Sequence, residues 1–230
     1  MQLPIEWLPA DGEPQQLVLM LHGVGASGAQ MAALGQVLRA QFPQAAFLAP
    51  DAPHPFDGGP GGRQWFSVQG IDEGNREARL RDALPPLWDW IRLQQMRLGV
   101  SAAATCLAGF SQGGILALET AARQDGLAGR VLAFGARFGT LPAAAPQLTT
   151  IHLFHGAADA VIPAAQARAA MQRLGALQGD ATCDIAEGVG HEMHPALLRC
   201  AIHRLTHHIP ARTWREALGA APREAADLDD

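Results

Sequence analysis

The chain has no lysine, no tyrosine and no apolar run near the ~18–20 residues that a bilayer-crossing helix needs. A membrane span is therefore not expected. All 17 basic residues are arginine, and no basic run exceeds a few residues, so nothing marks a nucleic-acid partner or an anionic membrane surface. The formal charge is only -5. No single site accounts for the missing lysine, which we read as compositional drift in an alanine- and arginine-rich genome of bacterial kind. Residues 1–16 hold no basic residue but carry Glu6, Asp11 and Glu13, so the positive and apolar regions of a secretory signal are missing. Cysteine is scarce too. Cys106, Cys183 and Cys200 are widely spaced and odd in number, a usage that fits a reducing compartment. The cytoplasm is the expected location.

What is present points to an enzyme-sized domain. With 230 residues, 48% of them hydrophobic and 17% charged, the chain can bury one sizeable core. Apolar runs at 17–21, 45–49, 103–110, 130–134, 151–155 and 182–187 read as strands. Helical patterns lie between and after them, at 29–40, 73–98, 112–124, 163–177 and 195–208. Such alternation predicts an α/β fold with a largely parallel sheet covered on both faces. Helix 73–98 is expected to bend near Pro85 and Pro86. Residues 22–28 form a glycine-rich turn and 50–62 a loop rich in Pro, Gly and Asp. The expected single domain spans 1–209. Residues 210–230 are expected to be a tail with one turn around 214–218 and an acidic, disordered end. After strand 130–134, about 16 residues, mostly Ala, Pro and Gly, precede the strand at 151, too few for a helical cap.

Gly109-Phe110-Ser111-Gln112-Gly113 matches G-x-S-x-G, with a predicted strand before it and a predicted helix after it. That context is what exposes a serine hydroxyl on a sharp turn at the carboxyl edge of a sheet. The helix start also favours negative charge developing nearby. The other serines, Ser27, Ser67 and Ser101, lack the motif. The bland alternative for Ser111 is a glycine-rich helix start capped by a serine.

A serine hydroxyl needs a histidine base, and the base needs an orienting carboxylate. In this kind of fold the order along the chain is Ser, then Asp or Glu, then His. Asp125 ends a helix, Asp180 precedes a strand and Asp184 lies inside one. Asp159 alone follows a strand's carboxyl end. His191 follows the last strand in Gly188-Val189-Gly190-His191 and is the expected base, with His194, just before Pro195, as the fallback. His203, His207 and His208 read as a solvated helix face. His152 and His155 precede Asp159, and His22 reads as a brace for the first turn. His191-Glu192-Met193-His194 is one residue short of H-E-x-x-H, so no metal site and no cofactor are expected. Acyl transfer further needs two N–H donors. The expected pair is Gln112, after the nucleophile, and Val24, between Gly23 and Gly25 in the first turn.

LHGVG at 21–25, GFSQGG at 109–114, HGAADAVIP at 155–163 and GVGHEM at 188–193 together resemble the phospholipase/carboxylesterase family of α/β-hydrolases, which includes the acyl-protein thioesterases. GRQWFSVQGI at 62–71 is similar to a bacterial esterase subgroup. The resemblance covers about residues 15–209 in order. It implies an α/β-hydrolase fold and a serine esterase or thioesterase acting on small acyl esters. Carried over by position, it implies Ser111, Asp159 and His191 as triad, Val24 and Gln112 as oxyanion donors, and Trp65 and Phe66 as lining. Ala157-Ala158 stand where relatives often carry polar residues. For Trp65 and Phe66 the alternative is a satellite core under the long loop, and the sequence favours neither. A non-catalytic binding module of the same fold is one rival reading, although no triad member is missing, and a serine hydrolase of other substrates, a lactone or a peptide, is the other.

Overall fold

Burial on both faces organises the centre of the molecule. In the computed structural model, which describes residues 4–217 and 219, β2 (Gln16–Leu21) is buried along nearly its whole length. Its Leu17, Leu19 and Leu21 join one apolar core, while Val18 and Met20 join the other. Alternate residues of a strand face opposite sides of the sheet, so a strand buried on both sides must be apolar throughout.

A seven-stranded sheet runs in the order β1-β3-β2-β6-β7-β8-β9. Its members besides β2 are β1 (Ile5–Trp7), β3 (Ala45–Ala49), β6 (Thr105–Phe110), β7 (Arg130–Phe134), β8 (Thr150–Gly156) and β9 (Ala181–Ala186). All neighbouring pairs are parallel except β1, which pairs antiparallel with β3. The sequence did not predict β1, because three residues are too few to carry a periodic pattern. The loop after β3 also holds a small antiparallel pair, β4 (His54–Pro55) and β5 (Arg63–Gln64).

Helices cover both faces of this α/β-hydrolase fold. α1 (Ala32–Gln41) and α5 (Pro195–His207) close one core. α2 (Glu73–Leu98), α3 (Gln112–Arg123) and α4 (Ala165–Ala176) close the other. α2 starts in a capping box: Asn75 N–H donates to Asp72 Oδ1 at 2.9 Å, and Asp72 N–H donates to Asn75 Oδ1 at 3.1 Å. It continues through Pro85 and Pro86 to a left-handed Gly99 (φ 64°). Leu80, Leu84, Leu87 and Ile91 are its buried stripe, each stabilising the fold by about 1.5–3 kcal/mol. Between β7 and β8 there is no helix or strand, hence no cap. α6 (Ala211–Ala217) follows α5, where the sequence predicted one turn. The acidic end expected to be disordered lies outside the described residues. Among the described residues no helix is long and apolar enough to cross a membrane.

Candidate active site

The carboxyl ends of four parallel strands meet at one place. Val24 follows β2, Ser111 follows β6, Asp159 follows β8 and His191 follows β9. Open α/β sheets bind ligands in the crevice beyond such strand ends.

Ser111 joins β6 to α3 on a strained turn, with φ 51° and ψ -115°. A non-glycine residue in the left-handed half of the map carries a real cost. Packing enforces it: Ser111 N–H donates to Phe134 O at 2.9 Å. A Cβ on Gly113 would stand 2.1 Å from Leu21 O, and one on Gly109 would stand 2.4 Å from the Gly113 backbone. Only glycines let β2, β6 and the start of α3 come this close.

The structure brings Ser111, His191 and Asp159 together, and leaves His194 apart. Ser111 Oγ stands 3.0 Å from His191 Nε2, and His191 Nδ1 stands 2.7 Å from Asp159 Oδ2. The other carboxylate oxygen of Asp159 accepts the N–H groups of Val161 (2.9 Å) and Ile162 (2.8 Å). Burial alone would push this carboxyl up. The bond to His191, the two backbone bonds and the charge of His191 outweigh it and hold the carboxyl below the usual range. The His191 ring packs against Phe110, with centroids 4.9 Å apart, and lies over Gly135. His194 instead caps α5, its Nδ1 accepting Ala196 N–H at 3.2 Å. His155, buried, donates from Nε2 to Ile162 O at 2.6 Å and stands 3.3 Å from Asp159 Oδ2.

Val24 and Gln112, the residues expected to supply the oxyanion N–H groups, border the same cavity as Ser111. A network that the sequence did not reveal holds the Val24 loop. His22 Nδ1 donates to Gly23 O at 2.7 Å, and His22 Nε2 accepts Ala52 N–H at 2.9 Å. Both ring nitrogens are thus engaged, and burial, the main cause, lowers the affinity of His22 for a second proton. Gly23 N–H donates to Gln30 Oε1 (2.8 Å), and Gly25 N–H donates to Arg63 O (2.8 Å). The side chain of Gln112 is committed to the loop that carries Trp65 and Phe66. Its Oε1 accepts Trp65 N–H and its Nε2 donates to Phe66 O, both at 2.8 Å.

Trp65 and Phe66 part company here. Trp65 is 3% exposed, and its indole N–H donates to His22 O at 2.9 Å. It lies in the core beneath the Val24 loop and does not border the Ser111 cavity, which corrects the lining role expected for it. Phe66 does border that cavity of about 200 Å³, together with Leu80, Ile115, Val161, Arg76 and Arg137. The two arginines escaped the sequence reading. The available signal was that Arg137 lies three residues beyond the carboxyl end of β7. A larger cavity of about 380 Å³ opens at the opposite edge of the sheet, beside Gln15, Thr105, Cys106 and Arg130, and contains no nucleophile–base pair. Among the described residues no group of three or more His, Cys, Asp or Glu side chains could hold a metal ion.

This architecture has known counterparts. The phospholipase/carboxylesterase family matches residues 8–209. Esterase YpfH of Escherichia coli (strain K12) is 43% identical over 208 residues, covering 90% of this chain and 89% of that protein. The crystal structure of esterase PE8 superimposes with a TM-score of 0.82 at 31% identity, over 90% of this chain and 99% of that one. A Bacillus cereus carboxylesterase shares the fold at 14% identity, with a TM-score of 0.74, over 87% of this chain and 91% of that one. The family match across nearly the whole sheet and its flanking helices, together with close esterase relatives, establishes that this chain belongs to the phospholipase/carboxylesterase family of α/β-hydrolases and is an ester hydrolase.

Proposed function

We propose that the protein is a serine carboxylesterase that hydrolyses short- to medium-chain acyl esters, and thioesters of the same acyl groups, through an acyl-enzyme on Ser111. The single observation that carries this reading is the continuous chain from Ser111 Oγ through His191 to Asp159, at 3.0 and 2.7 Å. His191 Nε2 takes the hydroxyl proton as Oγ bonds to the ester carbonyl carbon. Asp159 accepts the Nδ1–H, keeps the tautomer and offsets the charge of the imidazolium. The carbonyl oxygen, now negative, receives the N–H groups of Val24 and Gln112, each such donor contributing ~10²–10³ in kcat. Collapse expels the alcohol or thiol, which takes the proton back from His191. Water then repeats the sequence on the acyl-enzyme and frees Ser111.

The cavity of about 200 Å³ lies below the ~300–1,000 Å³ of typical drug-sized sites, and with no cap above it, short acyl groups fit best. Phe66, Leu80, Ile115 and Val161 supply the apolar wall. The three cysteines form no disulfide, in keeping with a reducing compartment such as the cytoplasm. A fluorophosphonate probe should label Ser111 and no other residue, and Ser111→Ala should lose both labelling and turnover of p-nitrophenyl butyrate. Label found elsewhere by mass spectrometry overturns the assignment.

A further inference from the structure

Among the described residues that border the Ser111 cavity, Arg76 and Arg137 carry charge, and no acid lines it with them. Both are half-buried. Neighbouring arginines have partners: Arg79 donates to Ser67 O, and Arg123 pairs with Glu119 and Glu77. Among the described residues, neither Arg76 nor Arg137 makes a side-chain hydrogen bond or an ion pair. Arg76 stands in the first turn of α2, where its own N–H donates to Asp72 O, the helix end at which the dipole disfavours a cation. Arg137 stands beyond the carboxyl end of β7, the edge where such sheets bind ligands. Burial weakens the protonation of Arg137 most, and the charge of Arg76 weakens it next. Glu73 and Glu119 oppose this less strongly. Glu119 is already committed to Arg123 at 2.8 Å and to Gly139 N–H at 2.7 Å.

Two like charges without a hydrogen-bonded partner in the wall of one reaction cavity, only partly offset by Glu73 and Glu119, destabilise the free protein. An anion placed between them removes that cost, and guanidinium groups grip carboxylates with paired hydrogen bonds. We propose that Arg76 and Arg137 select an ester bearing a carboxylate one short chain away from the scissile carbonyl. This rests on the serine-esterase reading of the same site and adds the charge of its substrate.

The test compares matched esters by pH-stat. Monoethyl glutarate against ethyl pentanoate places the carboxylate in the acyl half; carboxymethyl butyrate against propyl butyrate places it in the alcohol half. On one of the two arms, kcat/KM for the anionic ester is expected to exceed that for the neutral one. On that arm Arg76→Gln and Arg137→Gln should each lower the anionic-to-neutral ratio ten-fold or more. Arg81→Gln, on the exposed face of α2, should leave the ratio at its original value. Ratios that neither variant moves on either arm overturn the proposal. The unaltered protein provides a measurement independent of variant folding: glutarate should inhibit hydrolysis of the preferred neutral ester at least ten-fold better than glutaramide, and equal inhibition also overturns the proposal. Calorimetry with Ser111→Ala separates the two readings. Tight binding of monoethyl glutarate or carboxymethyl butyrate, with no turnover of either by the unaltered protein, supports the arginine pair and rejects the esterase mechanism. Turnover of neutral esters without any preference for the anion does the reverse.

Discussion

Replacing Gln112 by leucine separates what its side chain does from what its backbone does. The side chain is 3% exposed and makes two bonds of 2.8 Å, accepting Trp65 N–H and donating to Phe66 O. Leucine is similar in size but can make neither, so a buried N–H and a buried C=O lose their partners. Each orphaned group costs ~1–3 kcal/mol, which gives roughly 2–6 kcal/mol against a total stability of about 5–15 kcal/mol. At ~2–4 °C per kcal/mol for a chain of this size, Tm should fall by roughly 4–24 °C in a calorimetric scan. The Gln112 backbone N–H remains, and Ser111, His191 and Asp159 are untouched. Fluorophosphonate labelling at 20 °C should therefore persist, while preference among acyl chains weakens because Phe66 is no longer pinned. A Tm within a degree of the original would refute the reasoning, since the two bonds would then contribute nothing in solution. Complete loss of labelling in a folded variant would refute it differently, by giving the side chain a role at the nucleophile.

Four further outcomes are expected. Asp159→Asn should retain the fold yet lose about 10⁴ in kcat, because a side-chain amide no longer imposes the tautomer of His191; a loss under ten-fold contradicts the assigned role. EDTA and iodoacetamide should both leave p-nitrophenyl butyrate turnover intact, since burial, only partly opposed by Arg130, pushes the Cys106 thiol up to about 12 and burial raises Cys183 and Cys200; zinc-reversible loss on chelation would count against this. For uncharged esters, kcat/KM should climb from acetyl towards butyryl or hexanoyl by up to about 0.8 kcal/mol per methylene and then flatten; Phe66→Ala should flatten that climb, and a steady rise to palmitoyl esters contradicts it. Finally, His152 accepts a bond from Arg130 and donates to Thr182, and burial first, then the charges of Arg130 and His208, lower its pKa to about 3 from the ordinary 6.5. The unfolded chain binds this proton first, so the contribution is fully present above pH 6.5 and is lost as pH falls towards 3, by up to about 1.4 kcal/mol per pH unit. Urea melts of His152→Gln should show a shallower decline across that window than the original chain, and parallel curves would contradict the assignment.

How much of this was legible beforehand depends on how local each signal is. The strand leading into Ser111, the glycines around it and the apolar run at 17–21 could be read directly, because burial on two faces and a sharp turn each demand particular residues within a few positions. Asp159 and His191 were reachable through chain order and the carboxyl-edge rule alone. β1 was not, since its pairing with β3 joins residues some forty positions apart and its three residues show no periodicity.

Trp65 marks the boundary most clearly. Its sequence setting, a bulky pair in a long loop, fitted a substrate wall and a satellite core equally well. Only the position of the His22 carbonyl, 2.9 Å from its indole N–H, places it under the Val24 loop and leaves Phe66 at the cavity. Arg76 and Arg137 lie sixty-one positions apart in sequence, one at a helix start and one after a strand, and neither has a motif. The sequence by itself determined the strand–helix alternation, the sharp turn at Ser111 and the order of Ser111, Asp159 and His191 along the chain, because those follow from local conformational demands and chain direction. Which side chains border the cavity, which hold its walls and where unpaired charge collects were decided by tertiary packing, because contact, burial and the field between two cations depend on distances that folding alone sets.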